Sequence, residues 1–199
     1  MIDALFGSKT RVKLLHLFLN NPGESFYVRE ITRLIGEQIN SVRRELANML
    51  NVGIILSDSA DNKLYYEINQ RYEYYVPLRA IFADEKVEIP SAGVIEQKPD
   101  WASQLVDMGG VRIAIAAGVL VKGSTSTIDM LIVGDVQQAK LKNLIKMVEK
   151  AESREINYAS MDYDEFYYRL SVRDRFIIEI LNNKHSVLID TDKLLSQQK

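Results

Sequence analysis

Residues 26–69, FYVREITRLIGEQINSVRRELANMLNVGIILSDSADNKLYYEIN, change rhythm three times, and those changes decide the fold of the first part of the chain. Val28, Ile31, Leu34 and Ile35 recur at helical spacing, and Gly36 stands where a left-handed C-terminal cap is wanted. Two residues later Ile39, Val42, Leu46, Met49 and Leu50 mark one face of a further helix, which Gly53 ends. A connection this short cannot let the two helices pack side by side, so they must cross steeply. Ile54-Ile55-Leu56, the turn-rich stretch Ser57 to Asn62, and Lys63 to Ile68 then read as a β-hairpin.

Upstream, Ser8 can cap a helix with Val12, Leu15 and Leu19 on its buried stripe, flanked by Leu14 and Phe18 and stopped by Asn21-Pro22-Gly23. Three helices and a hairpin make a winged helix. The quoted segment resembles the winged helix-turn-helix of the ArsR-like bacterial and archaeal repressors. In that family a helix and a Gly turn precede a recognition helix with Val and Leu four apart, then Gly and two apolar residues entering the wing. Gly36, Val42, Leu46, Gly53, Ile54 and Ile55 fill those places. The resemblance spans roughly the first two-fifths of the chain and implies DNA binding.

Opposite Leu46, the third helix carries Asn40, Ser41, Arg44 and Asn48, with Arg43 and Gln38 on its flanks. Asn and Gln can pair with an adenine edge and Arg with guanine, while Ser and Arg also suit phosphate. Lys9, Arg11, Lys13, Arg29 and Arg33 are candidate backbone contacts. At the hairpin tip Asp58 and Asp61 oppose the single cation Lys63, which weakens a wing contact with phosphate. One such module covers little duplex, so useful specificity calls for a homodimer on a two-fold site of double-stranded DNA. Tyr65, Tyr66, Tyr72, Tyr74 and Tyr75 read as packing that leads into a helix containing Val76, Leu78 and Ile81.

The 199 residues allow one large domain or two small ones. With 47% hydrophobic and 26% charged residues, the composition is that of a globular protein rather than a disordered or fibrous one. A net charge of −2 excludes binding to nucleic acid through bulk positive charge, so any such contact must be local. No apolar run approaches the ~20 residues of a membrane-spanning helix, and the start MIDALFGSKTR lacks the features of a secretion signal. The absence of Cys excludes disulfides and thiolate sites and suits the cytoplasm, and two His cannot build a histidine-rich metal cluster. Composition shifts divide the chain into 1–82, a linker at 83–99 containing Pro90, Gly93 and Pro99, a mixed domain at 100–190 and a frayed tail at 191–199. The first part holds 10 basic and 9 acidic residues, or +1, and the remainder 15 and 18, or −3.

In the second part Val111 to Ala117 reads as a buried strand, Gly118 to Thr127 as a Gly/Ser/Thr loop and Ile128 to Val133 as a second strand. A helix from Gln137 to Glu152, a strand from Glu155 to Ala159, helices at 162–170 and 174–181, and a last strand at 186–189 follow. This order resembles the minimal nucleotidyltransferase domain of the DNA polymerase β-like superfamily. There a Gly-Ser turn grips phosphates, and an Asp-x-Asp with a third carboxylate holds two Mg²⁺ ions. Gly118 and Gly123 match the two glycines and Asp129 the second Asp, and Ser124 remains a possible anion donor in a degenerate nucleotide site. Val119 stands for the motif Ser and Thr127 for the first Asp, while the third carboxylate position falls on Glu155 or Asn157, which alternation puts on one strand face.

The expectation is therefore an α+β chain in two parts. It is a DNA-binding transcriptional regulator whose second domain has lost catalysis, needs no metal or cofactor, and serves dimerisation, partner binding or sensing of a small-molecule or protein effector. Alternatives are an active nucleotidyltransferase, or an antitoxin-like partner protein that uses Tyr163, Phe166, Tyr167 and Tyr168.

Overall fold

A computed structural model describes residues 5–60, 62–87 and 100–195. The chain is mixed α+β, with two small sheets among the described residues, and it divides into two compact units, Met1–Ile89 and Pro90–Lys199. Among the described residues no helix is long and apolar enough to cross a membrane. Asp61, most of the expected linker and residues 196–199 lie outside the described residues.

The first unit contains α1 (Lys9–Asn20), β1 (Phe26–Tyr27), α2 (Val28–Ile35), α3 (Ile39–Val52), β2 (Ile55–Ala60), β3 (Lys63–Ile68) and α4 (Tyr75–Phe82). Ser8 caps α1 by accepting a hydrogen bond from the Arg11 N–H, and Gly36 and Gly53 end α2 and α3 in left-handed conformation. Leu14, Phe18, Ile31, Val42, Leu46 and Ile55 lie in one core. Leu34, expected on the buried stripe of α2, is 53% exposed; Ile31 alone of that helix is fully buried. Val28 and Ile35, at the two ends of α2, do pack on the core; Leu34 lies about 60° around the helix from Ile31 on the side away from Ile35, at the edge of the stripe.

The stretch expected as a turn from Ser57 onward is mostly strand. Register pairs run from Ile55↔Ile68 to Ala60↔Lys63, leaving only positions 61 and 62 between the strands, with Asn62 at φ 59°. Cross-strand pairing overrides the turn preference of Ser and Asp. β1 pairs with β3, so the sheet has three strands in the order β1-β3-β2. The start of the expected linker belongs to this unit: Asn20 bonds the Phe82 carbonyl and the Asp84 N–H, and Val87 packs on the core.

The second unit contains α5 (Asp100–Asp107), β4 (Val111–Ala116), a 3₁₀ turn (Gly118–Leu120), β5 (Met130–Gly134), α6 (Gln138–Glu152), β6 (Tyr158–Met161), α7 (Tyr163–Ser171), α8 (Arg175–Asn182) and β7 (Ser186–Asp190). Its sheet runs β6-β5-β4-β7, with β5 and β6 parallel and the other pairs antiparallel. The parallel pair requires a crossover, and α6 supplies it. Ala114, Met130 and Ile132 face α5 and α6; Ile113, Ile115, Leu131 and Val133 face α7 and α8. Burial on both faces explains why the two central strands are continuous apolar runs.

β6 starts at Tyr158, not Glu155, so the alternation expected for Glu155 and Asn157 does not hold. A carboxylate oxygen of Glu149 accepts from the Ile156 N–H, and one of Asp129 from the Asn157 N–H, so these two N–H groups bond to side chains, while the Asn157 carbonyl accepts from the Asp129 N–H at the entry to β5. The tail is ordered through Leu195. The Asp190 carboxylate accepts from the N–H groups of Leu194 and Leu195, whose side chains pack against the α7/α8 core.

Candidate functional site

In the first unit the packing of Val42, Leu46 and Met49, each at most 2% exposed, fixes the rotation of α3. Asn40, Arg43, Arg44 and Asn48 are left exposed, with Ser41 half-buried beside them. Gln38 is exposed as the N-terminal flanking residue of α3. Its side chain does not cap the helix, so the first-turn N–H groups keep their partial positive charge. Arg43 lies near Tyr66: burial pushes the Tyr66 phenol above its ordinary value, and the Arg43 charge partly opposes that. The face therefore offers amide, hydroxyl and guanidinium groups, the types that hydrogen-bond base edges and phosphates.

Lys63 lies at the other end of the hairpin, with its ammonium 5.3 Å from the ring centroid of Tyr27, whose ring packs edge-on against Tyr65. Two of the expected backbone contacts are used inside the protein. Arg11 pairs with Glu45 at 2.9 Å and donates to the Phe6 carbonyl. Lys13 pairs with Glu37 at 2.7 Å and donates to the Ile35 carbonyl, holding the C-terminal end of α2. Lys9, Arg29 and Arg33 are exposed.

Glu45 was missed by sequence reasoning. It follows Arg44 on α3, yet it is 3% exposed and anchors α3 to α1. Burial alone would raise its pKa. Hydrogen bonds from Ser8, Arg11 and Asn48 and the Arg11 charge overcome that and bring it below the ordinary value. A position one residue from Leu46 at the edge of the buried face was the available signal; the partner 34 residues away leaves no local trace.

In the second unit the glycine loop is closed by its own side chains. The Gly118 N–H donates to Ser124 Oγ at 3.0 Å, and the Val119 N–H donates to Asp129 Oδ1 at 2.8 Å. The other carboxylate oxygen of Asp129 accepts from the Asn157 N–H at 2.8 Å, and the residue has no exposed surface. Ser126 donates to Glu179, which also accepts from the Thr127 N–H. Thus Gly118, Ser124 and Asp129 come together, but as one internal hydrogen-bond network. Gly123 stands apart, exposed at φ 81°, near the Lys184 side chain. Val119 packs on the core beneath α6, which accounts for an apolar residue there. Glu155 is exposed, and the Asn157 amide donates to the Thr127 carbonyl.

The aromatic group on α7 does not form one surface. Phe166 is fully buried, Arg112 stacks on Tyr163 at 3.4 Å, and Tyr167 and Tyr168 are exposed. Comparison with known proteins gave no match to a family model, a curated protein or a solved structure.

Proposed function

We propose that the chain is a sequence-specific DNA-binding transcriptional regulator. Its first unit acts as a winged helix that lays α3 in the major groove, and two copies bind a two-fold site. The observation carrying this reading is the outer face of α3: Asn40, Arg43, Arg44 and Asn48 are exposed on a helix whose opposite side is locked by Val42, Leu46 and Met49. Gln38 and the uncapped first turn suit a phosphate at the helix end. The carboxylate of Asp58 on the hairpin makes the wing a poor phosphate ligand, so affinity is modest.

The second unit serves in this reading as a nucleotidyltransferase-like fold without transfer chemistry, used for dimerisation, partner binding or ligand sensing. What favours this role over catalysis is the state of Asp129. Both its oxygens bond backbone N–H groups, so the residue that would coordinate a metal instead replaces the anion that the Gly118 turn would otherwise hold. Selection from random duplexes at low salt is expected to return a short inverted repeat. Purified protein that binds all sequences equally at low salt would refute the proposal.

A further inference from the structure

Oε2 of the buried Glu45 receives Arg11 Nε at 3.0 Å, Arg11 Nη2 at 2.9 Å and Asn48 Nδ2 at 3.4 Å. An ionised carboxylate has no proton to give, so only the NH₂ end of the Asn48 amide can face it. The depressed pKa of Glu45 keeps it ionised at neutral pH. Asn48 is exposed one turn beyond Arg44, and its Oδ1 is the end turned away from Glu45. A free Asn can turn either end of its amide to a groove; one tethered through one of its two N–H groups cannot turn over, so it presents Oδ1 foremost, with the remaining N–H beside it. In the major groove the donors that meet an acceptor are the amino groups of adenine and cytosine, whereas guanine and thymine present acceptors at the corresponding edge.

We infer that Glu45 is a positioning residue that sets the amide of Asn48, so that Asn48 selects an amino-bearing base, adenine or cytosine, at one position of each half-site. This rests on the DNA-reading role proposed for α3. The test is duplex selection with the full chain, the exposed variant Asn48→Ala, and the double variant Arg11→Met/Glu45→Leu. Only the Glu45 end of this pair is buried, and replacing both partners is better tolerated than stranding that buried charge.

The unaltered protein is expected to favour adenine or cytosine over guanine and thymine by about three- to tenfold at one position, the worth of one hydrogen bond. Asn48→Ala should erase the preference at that position alone. The double variant, with its amide free to turn, should admit guanine and thymine there to within about twofold while keeping the rest of the site. The inference is overturned if the position lost in Asn48→Ala is guanine or thymine, if that variant changes no position, or if a folded double variant keeps the original preference. Should the double variant not fold, the Asn48→Ala comparison decides. Absence of any preference in the unaltered protein would instead remove the DNA-reading proposal itself.

Discussion

Asp129 Oδ1 occupies the space where a side chain on Gly118 would begin: a methyl group there would meet it at 2.1 Å, and the Ile128 carbonyl oxygen at 3.0 Å. Residue 118 also has φ +49°, where an L side chain is strained. The two residues therefore interlock, the missing side chain of one making room for the carboxylate of the other.

Gly118→Ala is expected to destabilise the second unit by about 3 kcal/mol or more, combining left-handed strain with displacement of a buried carboxylate. Urea unfolding followed by circular dichroism checks this, and a loss under 1 kcal/mol, roughly the strain of one left-handed residue, would mean that the turn relaxes freely.

Asp129→Asn should cost about 2–3 kcal/mol, because an amide can accept from one of the two buried N–H groups but presents hydrogens to the other. Added Mg²⁺ should leave the melting temperature of the unaltered protein unchanged. A rise on adding Mg²⁺ that disappears in Asp129→Asn would mean that the carboxylate leaves its backbone partners for a metal.

Arg44→Ala removes an exposed side chain on α3 and should leave stability within about 0.5 kcal/mol of the original. Affinity for a selected duplex should fall by about 1–3 kcal/mol, with relaxed choice at a single base position. Titration of labelled duplexes carrying each base there is the measurement; equal weakening on all four would make Arg44 a phosphate contact.

Acid should weaken the first unit through Glu45. Its folded pKa lies below the ordinary value of 4.5, so below that value the unfolded chain binds the proton more readily. The stabilisation is complete above pH 4.5 and is lost as pH falls through the folded value. The double variant Arg11→Met/Glu45→Leu should show a shallower loss of stability between pH 4.5 and lower values, read by denaturant titration at several pH values. An unchanged slope would mean that other carboxylates carry the effect.

Much of the helical framework was legible because its signals are local. Ser8, Gly36 and Gly53 mark helix ends by backbone geometry, and the stripe of α3 needs only its own sequence. β1 is two residues long, too short for periodicity to register, and α5 follows a segment whose composition masks its start. Ser57 to Ala60 read as a turn because their extended form depends on β3 across the hairpin. The exposed face of α3 followed from helical rotation alone. Which cations were already engaged did not: Arg11 and Lys13 find Glu45 and Glu37 across the fold, at separations of 34 and 24 residues. The same holds for Asp129, whose identity suggested a ligand and whose partners, Val119 and Asn157, come from the turn before it and the segment after α6.

The clasp by which Asp190 holds Leu194 and Leu195 has a practical side. Those two leucines pack, half-buried, against the α7/α8 layer, so the last few described residues behave as a stopper. A reporter protein joined after residue 199 leaves the stopper seated, whereas a chain cut back to Asp190 uncorks an oily surface and should clump on concentration.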